Sequence, residues 1–203
     1  MNLVLASASP ARKRLLESAG LRPIVLPGNF DEDSVPFADP ESYVRILSQG
    51  KADDVLSQTS RLPAGELLLL ACDSVLIFEG MVHGKPASPE QAVRRWQSMR
   101  GKSGQLYTGH VLVKAASAGA FVASAGRVVR TNVYFADASD DEIRAYVATE
   151  EPMRCAGAFA LEGFGGLFVE RLEGRHSNVI GLSLPALRSM MLELGTSPVS
   201  FWK

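Results

Sequence analysis

Cysteine is scarce in this sequence: Cys72 and Cys155 are the two present among 203 residues. One distant pair excludes a disulfide framework, and His83, His110 and His176 show no spacing that would pair with them as zinc ligands. Positive charge is not in excess either. Lysine and arginine number 21 against 22 acids, a formal net charge of -1, which argues against a general binder of nucleic acid or of membrane surfaces. Any anion site must therefore be assembled from local cations. Long apolar runs are missing: the longest, Leu67 to Cys72, stops at Asp73, far short of the roughly 20 residues a membrane span needs. Met1 to Ser7 has no basic residue and too short an apolar stretch for a secretory leader. The expectation is a soluble protein of the cytoplasm.

What is there is a globular mixture, 46% hydrophobic and 21% charged, in a chain long enough to bury a core as one domain over residues 1–203. Short apolar runs alternate with amphipathic stretches, the pattern of an α/β protein. Strands are predicted at Leu3–Ala6, Ile24–Leu26, Glu66–Cys72, Val75–Phe78, Leu106–Val113, Val128–Phe135 and Leu167–Arg171. Ser9-Pro10 supplies an N-cap and a first-turn proline for a helix that Gly20 can close. A second helix is predicted from Asp39-Pro40 to about Ser57. Capping boxes at Ser88-Pro89-Glu90-Gln91 and Ser139-Asp140-Asp141-Glu142 open two more, the first burying Trp96 and ending at Gly101. A last helix runs from near Pro185 to Gly195, and Ala115 to Gly126 reads as a hairpin tip or a small excursion.

Four segments can carry chemistry. In Ser7-Ala8-Ser9-Pro10-Ala11-Arg12-Lys13, two cations occupy the first turn of a helix, where the partial positive charge of the N-terminus already disfavours them. Free backbone N–H groups with Arg12 and Lys13 suit a phosphate chain, although a capped helix with solvated basic residues accounts for the same spacing. Lys51 falls within the apolar stripe of Val44, Leu47 and Val55, so its ammonium needs a partner. At about 4 Å and an effective dielectric of about 20, one opposite charge is worth about 4 kcal/mol. A phosphate, a nearby glutamate or snorkelling would each serve.

Asp73-Ser74 follows directly on a buried strand, the end at which open α/β sheets tend to place ligands. A carboxylate there can hold a metal ion, orient water or accept a proton, while an isolated turn aspartate is common. Gly84-Lys85-Pro86 offers a further lysine beyond what reads as a hairpin. Finally, Cys155 to Gly166 is glycine-dense without Walker spacing, and Glu162 stands in it among small and apolar neighbours, placed to read donor groups of a ligand.

Together these segments resemble the Maf family, in order and across nearly the whole chain. The match runs through Leu5–Lys13, Asp31-Glu32, Lys51-Ala52, Cys72-Asp73-Ser74, Gly84-Lys85-Pro86, Tyr107-Thr108-Gly109, Ala156-Gly157-Ala158-Phe159 and Asn178–Leu184. The resemblance implies an elongated mixed twisted sheet with flanking helices, in two lobes around a deep cleft, often dimeric. It implies hydrolysis of a noncanonical or pyrimidine nucleoside triphosphate to monophosphate and pyrophosphate, with a divalent cation (Mg²⁺, or Mn²⁺ or Co²⁺ in its place). By position, Asp73 is then the base or metal-linked carboxylate and Glu32 assists at the metal. Ser7, Arg12, Lys13, Lys51 and Lys85 hold the triphosphate.

Base preference is carried by Ala11, Ser74 and Glu162. The branch acting on 7-methyl-GTP resembles Cys155–Phe159 and Glu162–Gly165, and a carboxylate suits the two donors of a guanine edge. Ala11 and Ser74, however, replace a tryptophan and a glutamine of that branch, and the dTTP- and UTP-hydrolysing branch has glutamine at the Glu162 position. The reading leans to a modified guanine nucleotide. A dTTP/UTP enzyme, an inosine-triphosphate-type house-cleaning enzyme and a nucleotide-binding division regulator without turnover stay open.

Overall fold

The computed structural model describes residues 1–116 and 120–202. Its core is a seven-stranded mixed sheet with flanking helices, as the alternating pattern implies. The strands are β1 (Asn2–Leu5), β2 (Ile24–Val25), β3 (Leu67–Phe78), β4 (Met81–His83), β5 (Ser103–Ala115), β6 (Phe121–Phe135) and β7 (Val169–Glu173). Their order is β2-β1-β3-β5-β6-β7, with β4 paired to β3 off that path. The helices are α1 (Pro10–Ser18), α2 (Pro40–Ser57), α3 (Pro89–Met99), α4 (Asp140–Ala148), α5 (His176–Val179) and α6 (Leu184–Glu193). No helix among the described residues is long and apolar enough to cross a membrane.

The chain forms two compact units. The first comprises Met1–Asp73, Thr108–Val129 and Gly181–Lys203. In it β1 pairs in parallel with β2 and with β3, in register Leu3↔Leu68 and Leu5↔Leu70. Side chains alternate faces along a strand, and here both faces are covered. Leu3, Leu5, Leu68, Leu70 and Cys72 pack with Leu16 of α1 and Leu187, Met190 and Met191 of α6. Val4, Ala6, Leu67, Leu69 and Ala71 pack with Ala52 and Val55 of α2. An unbroken apolar run is what such a doubly covered strand requires.

The second unit comprises Ser74–Tyr107 and Arg130–Ile180. Its core joins Leu76 and Phe78 to Ala92, Trp96 and Met99 of α3 and to Ile143, Tyr146 and Val147 of α4. Trp96 is fully buried, as its place on the helical stripe predicts, and meets Phe135, Tyr146 and Phe168 edge-on at 5.5–5.6 Å between ring centroids. Its indole N–H donates to the Ala158 carbonyl at 2.8 Å. Trp96→Ala is expected to lower unfolding free energy by about 3–5 kcal/mol, measurable as a shift of the denaturant midpoint.

Local signals place several helix starts correctly. Ser9, Asp39, Ser88 and Ser139 all accept N-cap hydrogen bonds, and the Ser139/Glu142 box is complete in both directions. Three expectations shift. Strands Glu66–Cys72 and Val75–Phe78 are one continuous strand, so Asp73 and Ser74 lie inside β3 rather than in a turn after it. The strand expected at Leu167–Arg171 begins at Val169, because Phe164–Phe168 turn as a 3₁₀ helix. In the Ala115–Gly126 stretch, β5 ends at Ala115 and β6 opens at Phe121, while residues 117–119 of that expected tip lie outside the described residues.

Candidate functional site

Within the first unit, the site forms around an interruption in strand pairing. Pairing of β3 with β1 ends at Leu70, where the Ala6 N–H makes the last bond across. Pairing with β4 does not begin until Leu76. Between those points Asp73 sits on an extended backbone fixed by its long strand, only 7% exposed. The chain leaving β1 turns through Ser7 and Ser9 into α1, whose first turn carries Arg12.

Lys51 has carboxylates among the partners its sequence position allowed. Its side chain is 17% exposed, and its ammonium donates to the Asp73 carboxylate while lying 2.8 Å from Glu32 Oε1. One cation is shared by two carboxylates from distant segments, Glu32 from a short 3₁₀ turn capped by Asp31 and Asp73 from β3. Burial pushes the Asp73 carboxyl above the usual carboxylate range, and the positive charges of Lys51 and Arg12 only partly offset it. Such a carboxylate binds a proton more readily than a solvated one. Among the described residues no three His, Cys, Asp or Glu side chains converge into a preformed metal cage.

Arg12 is anchored at both ends of its guanidinium: Nε donates to the Gly181 carbonyl at 2.8 Å and Nη1 to Ser7 Oγ at 3.1 Å. Lys13 points elsewhere. It is exposed, lies 3.6 Å from Glu17, and lines a surface groove with Gly20, Arg22 and Trp202. Ala11 is half-buried in the same helical turn as Arg12. Tyr43, which sequence reasoning missed, belongs to this site. Desolvation first, then the charges of Asp73, Glu32 and Asp33, hold its phenol protonated, and Phe37 packs edge-on to its ring at 5.4 Å. Four-residue steps along α2 from Tyr43 through Leu47 to Lys51 are the signal that would have found it.

The second unit holds Ser74, Lys85 and Glu162. Lys85 and Glu162 are both exposed, and both act on the half-buried thiol of Cys155. Desolvation, with Glu162 and Glu151 adding to it against Lys85 and Arg154, raises that thiol to about 11. Gly84, beside Lys85, is tied by its carbonyl to Arg95 Nη1 at 2.6 Å and to the Gly157 N–H at 3.4 Å. The loop carrying Glu162 is pinned by a carboxylate absent from the sequence-based site. Glu151 accepts from the Tyr146 hydroxyl at 2.8 Å, from the Gly165 N–H at 2.9 Å and from the Phe164 N–H at 3.0 Å. Tyr146 in turn accepts from the Ala160 N–H at 3.2 Å. A glutamate before a proline carries no sequence signal for this role, because its partners lie 5 to 14 positions away.

Comparison with known proteins agrees with the residue pattern. A family model described as Maf-like protein matches residues 2–194. A nucleoside triphosphate pyrophosphatase of Trichormus variabilis is 52% identical over 200 residues, covering 98% of this chain and 97% of that protein. One of Nostoc punctiforme is 51% identical with the same coverage, and one of a Cyanothece species is 52% identical over 202 residues and the full length of both. Matched by the family model over nearly its whole length and by relatives at about half identity, the chain belongs to the Maf-like protein family.

Proposed function

We propose that this protein hydrolyses a nucleoside triphosphate to the monophosphate and pyrophosphate. The observation that carries the reading is Asp73, desolvated on an inner strand, sharing the Lys51 ammonium with Glu32 and lying within the field of Arg12. The relatives at about 50% identity are named nucleoside triphosphate pyrophosphatases, which supports the same reaction. Asp73 takes the proton of a water that attacks the α-phosphorus, and the α–β anhydride bond breaks with pyrophosphate as the leaving group. Ser7, Arg12, Lys51 and Lys85 bind and orient the phosphates. Arg12 can grip two oxygens at once, whereas each lysine acts as a point charge. Lys13, exposed and already beside Glu17, contributes by steering the anion rather than by a fixed contact.

The donor set fits a hard divalent cation such as Mg²⁺. Such ions bind through one or two carboxylates plus substrate phosphates and keep several waters, so a pair such as Asp73 and Glu32 suffices without a closed cage. When bound, the cation would neutralise phosphate charge and acidify water. Mn²⁺ and Co²⁺ satisfy the same donors.

For the base, the proposal leans to a modified guanine nucleotide of the 7-methyl-GTP kind, read by Glu162 with Ala11 and Ser74 bordering the choice. A dTTP/UTP preference is the alternative. A panel of dTTP, UTP, CTP, ITP and 7-methyl-GTP decides between them. Glu162→Gln is expected to lower the guanine-to-pyrimidine ratio of kcat/KM by about tenfold or more, because an amide offers one donor where guanine needs an acceptor. An unchanged ratio would remove Glu162 from base reading.

A further inference from the structure

One anchor of the Arg12 side chain is a backbone carbonyl 169 positions away in sequence. Whatever fixes the Gly181 carbonyl therefore helps to direct the guanidinium. Gly181 itself sits at φ +110°, which side-chain-bearing residues rarely adopt, and a Cβ there would lie 3.3 Å from Arg12 Nε. Two residues on, the Ser183 N–H donates to His110 Nε2 at 2.9 Å. The Ser183 hydroxyl does a different task, capping α6 by accepting from the Ala186 N–H at 3.3 Å.

His110 stands on β5, 1% exposed. Its Nδ1 lies 3.3 Å from the Arg127 carbonyl on β6. These partners dictate the tautomer. A carbonyl only accepts, so Nδ1 carries the proton; an amide N–H only donates, so Nε2 is the bare acceptor. The neutral imidazole is thus a strut from the sheet to the turn that presents the Gly181 carbonyl to Arg12.

We infer that His110 is a positioning residue for phosphate binding: through the Ser183 N–H it holds residues 181–183, and through the Gly181 carbonyl it sets the direction of the Arg12 guanidinium. The inference rests on Arg12 being a phosphate ligand. A guanidinium aimed even about 1 Å away loses its two-oxygen grip, a loss of substrate affinity more than of chemistry.

The Ser183 backbone permits a clean test. Its φ of −76° is within the range of proline, so Ser183→Pro deletes the N–H together with the cap hydroxyl and turns its ring Cδ toward His110 Nε2. Ser183→Ala keeps the N–H and removes only the cap hydroxyl. Pyrophosphate release from the best substrate of the panel is measured with melting temperature for each variant. Ser183→Pro is expected to raise KM about tenfold with kcat within about threefold, while Ser183→Ala changes KM by no more than about twofold even where it melts earlier. His110→Leu is expected to follow the proline variant, and His110→Gln, whose amide can both donate and accept, to recover most of the loss. Nitrogen chemical shifts of His110 are expected to report the Nδ1–H tautomer.

Wild-type KM in folded Ser183→Pro, an equal rise in Ser183→Ala, or an Nε2–H tautomer overturns the inference. If His110→Leu fails to fold, the Ser183 pair alone decides. Arg12→Ala separates the two levels: an unchanged KM in that variant removes Arg12 as a phosphate ligand. A rise there without one in Ser183→Pro overturns only the role of His110.

Discussion

Asp73→Asn is expected to cut pyrophosphate release by about a thousandfold or more, some 4 kcal/mol of barrier, while the melting temperature stays level or rises. The two halves of that expectation have one cause. Burial raises the Asp73 carboxyl, so ionising it within the fold is disfavoured. For an acid whose folded value lies above its unfolded one, that is a cost to stability, present once pH exceeds the unfolded value and absent well below it. Asparagine removes the cost and its carbonyl still accepts from Lys51, yet it cannot take a proton from water. Turnover within about tenfold of wild type, measured alongside the thermal midpoint, would shift the base role to another residue. A collapse of the melting temperature would mean the carboxylate is structural.

Gly109→Ala is expected to lower unfolding free energy by about 3 kcal/mol or more, near the upper end for overpacking, because the obstacle is main chain. A Cβ at position 109 on β5 would lie 2.6 Å from the Val44 carbonyl carbon and 2.8 Å from Ser48 Oγ, both on α2. The Val44 main chain cannot swing aside as a side-chain tip would. The helix must move off the strand, and α2 is the helix that carries Lys51. The folded fraction is therefore expected to lose about tenfold or more in kcat/KM, since displacements near 1 Å in positioning elements cost on that scale. Gly126→Ala on β6 is the control: its nearest neighbour would be the His110 carbonyl at 3.6 Å, an ordinary contact, and a small effect is expected. Denaturation midpoints with activity normalised to folded protein separate the two losses. Equal stability in the two variants would show that α2 adjusts freely.

The contrast between Gly109 and Asp73 shows what a sequence discloses here. Capped helix starts such as Ser139 with Glu142 are written within four residues, and they are where the chain places them. The apolar run of β3 was legible as buried, but not as continuous through Asp73, because a polar residue in a strand reads locally as a strand end. Lys51 announces the need for a partner without naming it; Glu32 and Asp73 are 19 and 22 positions away, and only the fold brings them to it. Gly109 belongs to a recognised motif, yet nothing local says that a helix backbone rests on it. Tyr43, Glu151 and His110 were missed as site components for the same reason. Their hydrogen bonds or charges join segments that periodicity treats as independent.

The shared ammonium of Lys51 has a consequence for the proposed reaction. A pocket shaped for a polyanion would ordinarily confront mutual repulsion among its cations before any ligand arrives, and its acid would lie bare. Here one positive group is paired with two internal negative ones, so the site carries its own counterions. Under the proposed function, arrival of a triphosphate at Lys51 would be an exchange of partners. Release of the Asp73 carboxylate from its ammonium would then be part of binding, and the proposed base would be set free when the anion takes its place.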